Sequence, residues 1–319
     1  SPVVCPAWIN QKFIYGEKAM LYAKQGRISA FDYASMATAA YDSIVAETRY
    51  YNEKLSGGKW KGMMSMAPGN LPVFHKPNLT LYPLTKGDSW NAIPEGYDTT
   101  AYANGFEKSL PQFTKGLKQH FFIDVYLRNS VTVNWQARPS ADWIKLTQTS
   151  GELQPIAGKN SIRLQIHIDW NKVPDKEKIN EKILFTADGK QVSISLSVSQ
   201  LKELSGYKGF VEANGFISIH AKSITASKKG QNSAWQVTPT PGQASHSYTA
   251  FVSEPFSGDT AAIRQNAGFV AYEFYSLSKE KSTIAVYTLP THPLNALYSM
   301  RYGISIDNGP VTIVGSKTI

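Results

Sequence analysis

The sequence has a single cysteine among its 319 residues and no long apolar run. With Cys5 alone, an internal disulfide and a zinc site built from several cysteines are both excluded. No stretch of about 18 consecutive apolar residues is present, so we expect no membrane insertion. The opening "SPVVCPAWINQ" also lacks the basic start and apolar core of a signal peptide. If the protein is exported, its signal is therefore expected upstream of this chain.

Clustered charge is scarce as well. The formal net charge of +9 comes from 33 Lys and Arg against 24 Asp and Glu, but the longest basic run is only Lys228-Lys229. No recognition motif accompanies these residues, so a solvated basic exterior is favoured over a nucleic-acid surface. The chain is 42% hydrophobic, which is enough to bury a sizeable core, and its length predicts two or three units.

Two helices are predicted at the N-terminus. Trp8 to Gln25 is rich in helix-forming residues and ends at Gly26, and a second helix starts at Ser29, where Asp32 suggests a capping box, and continues to Leu55. We expect an antiparallel helical hairpin that forms part of a helical bundle.

The second helix carries an apolar stripe that is too wide for one partner helix to cover. Its members are Tyr33, Met36, Ala37, Ala40, Tyr41, Ile44, Val45, Thr48 and Tyr51. The missing cover is expected from the same protein upstream or from another subunit, and the alternative is that the downstream β domains supply it.

The segment after the helices fits neither a helical nor a strand period. Trp60, Met63, Met64 and Met66 crowd together before a run rich in Pro and Gly. Because methionine fills irregular gaps, these four residues are predicted to form a contact seam between domains. The alternative is an apolar wall of a ligand pocket.

An immunoglobulin-like sandwich is predicted next. "SIRLQIHIDW" alternates strictly, and Asp188-Gly189 lies between two alternating runs, which is a strong hairpin signal. Together with "FFIDVYL", "VTVNWQAR" and "DWIKLTQ" this gives at least six strands in about 85 residues. His167 falls on the polar face with no partner in view, so we interpret it as a surface histidine.

The last part of the chain reads as a second sandwich of the jelly-roll or carbohydrate-binding-module kind. Asn214-Gly215 predicts a turn, and "LYSMRYGISIDNGP" predicts a long strand. Aromatic residues are dense here, and one or two exposed ones could stack on sugar rings. Trp235, in the polar stretch "KKGQNSAWQVTP", is the one we expect at the surface of a loop, with Tyr272 and Tyr275 as further candidate contacts.

The predicted fold class is thus α+β and multidomain. The expected organisation is a helical hairpin over 1–58, an extended interdomain segment over 59–115, an immunoglobulin-like β-sandwich over 116–202 and a C-terminal β-sandwich over 203–319.

Several strings together resemble the C-terminal part of glycoside hydrolase family 115, in the order found there. They are "AYDSIVAETRYYNEKLSGGKWKGMMSMAPGNLPVF", "FIDVYLRNSVTVNW", "DWIKLTQTSGEL", "IHIDWNKVP", "GFVEANGFISIHA" and "RYGISIDNGPVTIV". The resemblance spans nearly the whole chain. It implies a xylan α-1,2-glucuronidase, an exported bacterial enzyme, periplasmic or secreted, that dimerises and releases glucuronic acid or its 4-O-methyl ether from xylan.

The chain departs from the family in two respects. The family's TIM barrel, which carries the catalytic acids, has no counterpart, so this chain would begin inside the helical domain and no catalytic residue transfers. The chain also stops at "VGSKTI", where family members continue with further strands, so its last sandwich would be incomplete or completed by a separate piece. Where related sandwiches read "SIEAE" around calcium, this one reads "SIHAK", with His220 and Lys222, so no metal or other cofactor is expected. Carboxylates such as Glu212, Glu254, Asp259, Glu273 and Asp307 show no spacing that marks a glycosidase pair.

Two functional hypotheses follow. In the first, the chain is the non-catalytic C-terminal region of a xylan α-1,2-glucuronidase, whose partners are the upstream catalytic domain, a second copy and xylan or xylo-oligosaccharide. In the second, it is a stand-alone carbohydrate-binding or adhesion module.

Overall fold

The computed structural model describes residues 4–81, 87–96, 107–200, 206–239, 246–252, 259–288 and 301–315. The chain divides into two compact units, Ser1–Ser205 and Gly206–Ile319. Among the described residues, no helix has the length and apolarity needed to span a bilayer.

The first unit begins with the predicted helical hairpin. Helix α1 spans Val4–Lys24 and helix α2 spans Ser29–Glu53. The turn between them contains Gly26 at φ 69°, a left-handed backbone that glycine adopts without a Cβ clash. Small buried side chains let the two helices approach closely, and these are Ala19, Ala23, Ala30, Ala37 and Ala40.

The predicted capping box is not formed. No side chain caps the start of α2, and the Asp32 carboxylate instead accepts a hydrogen bond of 2.6 Å from the Asn160 amide. A contact that is distant in sequence therefore replaces the local cap. The apolar stripe of α2 is covered unevenly, because Ala37, Ala40 and Ile44 are buried whereas Met36 remains 42% exposed.

Three short 3-10 turns follow the hairpin, at Leu55–Gly58, Pro68–Asn70 and Pro72–Phe74. The Lys12 ammonium of α1 donates hydrogen bonds to the carbonyls of Val73, at 2.5 Å, and His75, at 3.0 Å. This buried lysine ties the end of the segment back to the first helix.

Nine strands among the described residues form a two-sheet sandwich in the first unit. They are β1 (Trp90–Pro94), β2 (Phe113–Thr114), β3 (Phe121–Leu127), β4 (Val133–Pro139), β5 (Ile144–Leu146), β6 (Ser150–Leu153), β7 (Ser161–Ile168), β8 (Lys178–Ala187) and β9 (Lys190–Ser199). One sheet has the order β1-β3-β7-β5 and the other the order β2-β9-β8-β4-β6. Both sheets contribute to one core, which includes Trp90, Leu164, Trp135 and Ile194.

The sequence signals in this sandwich are confirmed. Leu164 and Ile166 point into the core from β7, and the alternating run of β9 buries Val192, Ile194, Leu196 and Val198. Asp188 and Gly189 have φ of 50° and 73°, and they join β8 to β9 in a tight hairpin.

The turn of the helical hairpin packs on the outer face of the four-stranded sheet. The Ile28 amide donates to the Leu127 carbonyl at 3.1 Å, and the Tyr126 hydroxyl donates to the Gln25 carbonyl at 3.1 Å. The buried Asp124 carboxylate accepts from the Arg27 guanidinium at 3.0 Å and from Arg163 at 2.8 Å. The sandwich therefore packs against the turn of the hairpin, outside the apolar stripe of α2.

Where the structure describes it, the second unit consists of short strands and one short helix. Its elements are β10 (Phe210–Val211), β11 (Ala226–Lys228), β12 (Ser233–Pro239), β13 (His246–Val252), α3 (Thr260–Asn266), β14 (Phe269–Ala271), β15 (Phe274–Tyr275), β16 (Arg301–Ile304) and β17 (Thr312–Gly315). They form the pairs β10-β15, β11-β14, β12-β13 and β16-β17. A helical hairpin followed by a β-rich region with several sheets is the predicted fold class, which is thereby confirmed.

Turn signals in the second unit are confirmed, but the predicted long strand is shorter. Asn214 and Gly215 have φ of 52° and 84° and join Ala213 to Phe216. Strand β16 ends at Ile304, because Asp307 and Asn308 adopt left-handed φ values of 49° and 60° and turn the chain into β17. The predicted strand residues Tyr298 and Met300 lie outside the described residues.

Candidate functional site

The four residues of the predicted seam follow α2 and its 3-10 turn. Hydrogen bonds to their backbone atoms fix the conformation of this segment. The Asn52 side chain donates to the Met64 carbonyl at 2.8 Å and accepts from the Met64 amide at 3.1 Å. The Met63 amide donates to the Trp60 carbonyl at 3.0 Å. We call Trp60, Met63, Met64 and Met66 the methionine seam.

The methionine seam is ordered and yet open to solvent. Met63 is 66% exposed and Met64 is 49% exposed, while Trp60 and Met66 are half-buried. Leu71 and Val73, further along the same segment, are also exposed. Burial lowers the pKa of Lys12, whose ammonium holds the backbone of Val73. The arrangement is suited to apolar contact with another surface, since flexible thioethers fit irregular partners.

Trp235 occupies a strand and not the polar loop that the sequence suggested. It lies in β12 opposite Ala250, and its indole N–H donates to the Gly268 carbonyl at 3.1 Å. The side chain is half-buried, so only part of the ring faces solvent. Ser233 adds a second tie, because its hydroxyl accepts from the Gly268 amide at 2.7 Å. The polar residues around Trp235 indicated a loop, but this segment forms a strand because it pairs with β13.

Tyr272 and Tyr275 lie on the chain that runs on from Gly268. The Tyr272 hydroxyl donates to the Ala221 carbonyl at 2.8 Å, and the Tyr275 ring meets Tyr207 edge-on at a centroid distance of 5.8 Å. We call residues 268–275 the aromatic ribbon. All three predicted sugar contacts are associated with this ribbon. Trp235 is hydrogen-bonded to it, and Tyr272 and Tyr275 belong to it.

Two further aromatic side chains of the ribbon escaped the sequence analysis. Phe269 is 47% exposed and Phe274 is 43% exposed. Aromatic density alone could not select them, because a phenylalanine in a strand is more often part of a core. Exposed rings on a short ribbon can stack on the faces of sugar rings.

Glu212 fixes the end of the ribbon. Its Oε2 atom accepts hydrogen bonds from the amides of Leu277 and Ser278, both at 2.8 Å, and from the hydroxyls of Ser276, at 2.9 Å, and Ser278, at 3.1 Å. The Ser278 amide leads the hydrogen bonds that lower the pKa of this carboxyl. A carboxylate held in this way is a structural anchor for the chain beyond Tyr275.

Of the other carboxylates considered in the sequence, two have structural roles in the described part of the chain. Asp259 caps α3 by accepting from the Ala261 amide at 2.9 Å, Asp307 forms a turn, and Glu254 lies outside the described residues. In the "SIHAK" stretch the Lys222 amide donates to His220 Nδ1 at 3.3 Å. Within the described ranges, no group of three or more His, Cys, Asp and Glu side chains is placed to hold a metal ion.

His167, which we expected to stand alone, has a neighbour. His120 precedes β3 and faces His167 of β7, with ring centroids 6.3 Å apart. The two residues are 47 positions apart in the sequence, so no local pattern could have joined them.

Two family models match parts of the chain. Residues 106–200, which contain most of the sandwich of the first unit, match the viral BACON domain. Residues 209–318 match the glycosyl hydrolase family 115 C-terminal domain. A search of curated proteins gave no match.

Several solved structures are distantly similar. A FixG-related protein from Vibrio parahaemolyticus has 8% identity and a TM-score of 0.23, with 36% of this chain and 98% of that chain covered. The Escherichia coli chaperone DraB has 15% identity and a TM-score of 0.23, with 44% and 80% covered. A candidate carbohydrate-binding protein from Bacteroides ovatus has 10% identity and a TM-score of 0.24, with 43% and 42% covered.

These TM-scores are too low for the likenesses to say anything of function. The family match is of a different kind, because it falls on the segment that contains the "GFVEANGFISIHA" and "RYGISIDNGPVTIV" strings. The resemblance to the C-terminal part of glycoside hydrolase family 115 is thereby confirmed over residues 209–318.

Proposed function

We propose that this chain is the non-catalytic C-terminal region of a xylan α-1,2-glucuronidase-like glycoside hydrolase. The observation that carries the proposal is the family match over residues 209–318, and the order of the other strings extends it toward the N-terminus. The parent enzyme would release glucuronic acid or its 4-O-methyl ether from glucuronoxylan, and the chemistry would reside in the upstream catalytic domain.

The methionine seam is the proposed docking surface for that catalytic domain. Its support is the combination of a hydrogen-bonded backbone with solvent-exposed Met63 and Met64. A surface that is ordered before it is covered loses little conformational entropy on binding. The two thioethers would be buried between the domains.

The aromatic ribbon is the proposed xylan contact. Trp235, Tyr272 and Tyr275 would hold or border the sugar chain, and the exposed rings of Phe269 and Phe274 would provide additional stacking area. Dimerisation and a periplasmic or secreted location belong to the same proposal, and both rest on the family resemblance.

Mixing this chain with the separately produced catalytic domain tests the docking. We expect a measurable complex by titration calorimetry, and the double variant Met63→Ser with Met64→Ser should weaken it by about tenfold or more. The matched control is Ile156→Ser, since Ile156 is 54% exposed on the sandwich and lies outside both the seam and the apolar stripe of α2. Equal weakening by the control, or no complex with the unmodified chain, would contradict the docking role.

One activity measurement and one binding measurement test this function against the stand-alone module. Release of 4-O-methylglucuronic acid from aldouronic oligosaccharides by this chain alone would place an active site here and refute the non-catalytic role. The stand-alone alternative predicts xylo-oligosaccharide affinity without any catalytic-domain complex. For either function, Trp235→Ala should weaken oligosaccharide binding, and unchanged binding would remove Trp235 as a contact.

A further inference from the structure

His120 and His167 form a cross-strand pair on the outer face of the four-stranded sheet. Phe121 pairs with Ile166 in the antiparallel ladder of β3 and β7, so the next position along each strand places the two histidines opposite one another. Their rings lie at 76° with centroids 6.3 Å apart, and both side chains are exposed. The end of the β3–β7 ladder thus holds two imidazoles side by side.

The ring nitrogens of this pair are available. In the described part of the chain, neither imidazole makes a hydrogen bond to another residue. The remaining exposed histidine of the first unit differs, because His75 Nε2 is bonded to Asn70 Oδ1 at 3.1 Å. Unengaged neutral imidazole nitrogen is a preferred ligand of late transition-metal ions.

The separation of the rings matches a shared metal ion. A metal–nitrogen bond of about 2.0–2.1 Å places the ion roughly 3.2 Å from each ring centre, so two rings on one ion lie at most about 6.4 Å apart, when the ion and both ring centres are in line. The observed 6.3 Å is within this limit. A tetrahedral nitrogen–metal–nitrogen angle requires the distance between the ring centres to shorten by about 1 Å. Exposed histidine side chains can make this change by small rotations of their χ angles.

We propose that His120 and His167 bind one divalent transition-metal ion, Cu²⁺ before Ni²⁺ and Zn²⁺, with water filling the remaining positions. A shallow hollow of about 320 Å³ beside the pair has room for these waters, and it is lined in part by Leu117, Lys118 and Trp170. No carboxylate lines the hollow, so the site lacks the oxygen ligands that Ca²⁺ and Mg²⁺ require. Lys145 lies opposite His167 on β5, and its charge weakens the affinity for any divalent ion. The bound ion cross-links β3 to β7.

Titration calorimetry with Cu²⁺, Ni²⁺ and Zn²⁺ on the full chain tests the site. We expect one ion per chain and a higher thermal midpoint in the presence of metal, because an ion that binds only the folded state stabilises it. His120→Gln and His167→Gln should each weaken binding by about a hundredfold and abolish the thermal shift, since the second imidazole adds its contact at high effective concentration. His75→Gln is the matched control, and it should leave both readouts unchanged.

Three results would overturn the proposal. They are the absence of saturable binding up to about millimolar metal, equal affinities in the wild type and both histidine variants, and a ratio of one ion per two chains, which would place the ion between copies. The thermal midpoints of the variants without metal show whether they fold. A failed docking experiment leaves this site untouched, because the methionine seam and the histidine pair share no residue.

Discussion

Different interactions stabilise each of the two units internally. The first unit has a large apolar core, in which Trp90, Trp135 and Phe185 are 0–1% exposed. Among the described residues of the second unit no apolar side chain is buried to that degree, and the residue that is buried is Glu212. Apolar burial therefore dominates the first unit, whereas the described part of the second relies on two-stranded pairs and hydrogen bonds to Glu212.

This difference predicts which substitutions most reduce the free energy of unfolding of each unit. Burial of a large aromatic side chain contributes several kcal/mol, whereas one hydrogen bond contributes about 1 kcal/mol net. Hydrogen exchange read by mass spectrometry reports the two units separately, since each opens with its own free energy.

The largest loss is expected from Trp90→Ala in the first unit. The change leaves a cavity in the core and removes the indole hydrogen bond to the Ala187 carbonyl at 3.0 Å. Urea unfolding should show the free energy of unfolding of this unit reduced by about 3–5 kcal/mol. Trp60→Ala in the seam is the control and should cost well under half of that. Similar losses would mean that the core is not what holds the unit.

The next largest effect is expected from Asp124→Asn, which breaks the charge cluster between hairpin and sandwich. Arg27, 4% exposed, would lose its carboxylate, although the rings of Tyr22 and Tyr126 remain at 4.2 and 4.4 Å from its guanidinium carbon. We expect a loss of about 3 kcal/mol, with faster amide exchange around Ile28. The exposed pair of Asp142 and Lys172 offers a control, and Asp142→Asn should cost about 0–1 kcal/mol. Unchanged exchange at Ile28 in Asp124→Asn would contradict the proposal that this charge cluster fixes the hairpin on the sandwich.

A smaller effect is expected from pH at Lys108. Burial, together with the charges of Lys190 and Arg128, lowers the pKa of this lysine to about 8. The unfolded chain then binds more protons between about pH 8 and 10, so the free energy of unfolding rises with pH over that window. Lys108→Met should flatten this rise by an amount on the order of 2 kcal/mol, whereas the exposed Lys115→Met should not. A parallel rise in wild type and Lys108→Met would refute the assignment.

The smallest effect is expected from Glu212→Gln in the second unit. Its carboxyl pKa is lowered by hydrogen bonds, so the stabilisation is present above the unfolded pKa and is lost as pH falls through the folded one. The variant should lose about 1 kcal/mol at neutral pH, seen as faster exchange of the Leu277 and Ser278 amides. Exposed Glu273→Gln is the control. A loss of stability in Glu212→Gln as large as that in Trp90→Ala would contradict the proposed difference between the units.

Signals that lie close together in the sequence predicted much of this fold. Gly26 marked the hairpin turn, Asp188-Gly189 marked the β8–β9 hairpin, and strict alternation marked the buried face of β7. Each depends on a few neighbouring residues whose backbone preference or periodicity decides the local conformation. The family resemblance was likewise carried by continuous strings, and the match over residues 209–318 bears it out.

The candidate sites were predicted less completely, because side-chain surroundings depend on distant partners. Trp235 was expected in a loop, but its strand exists through pairing with β13, and Phe269 and Phe274 could not be told from core residues. Asp32 was expected to cap its own helix, but Asn160 of the sandwich takes its carboxylate.

By itself the sequence determined the helical hairpin, the sandwich strands with their turns and the family likeness. All three depend on local periodicity or on contiguous motifs, which involve residues close together in the chain. The tertiary structure alone decided that Arg27 and Arg163 share one buried carboxylate, that Glu212 anchors the chain after the aromatic ribbon, and that His120 faces His167. These contacts join residues tens of positions apart, and only the packing of sheets and helices brings such groups within bonding distance.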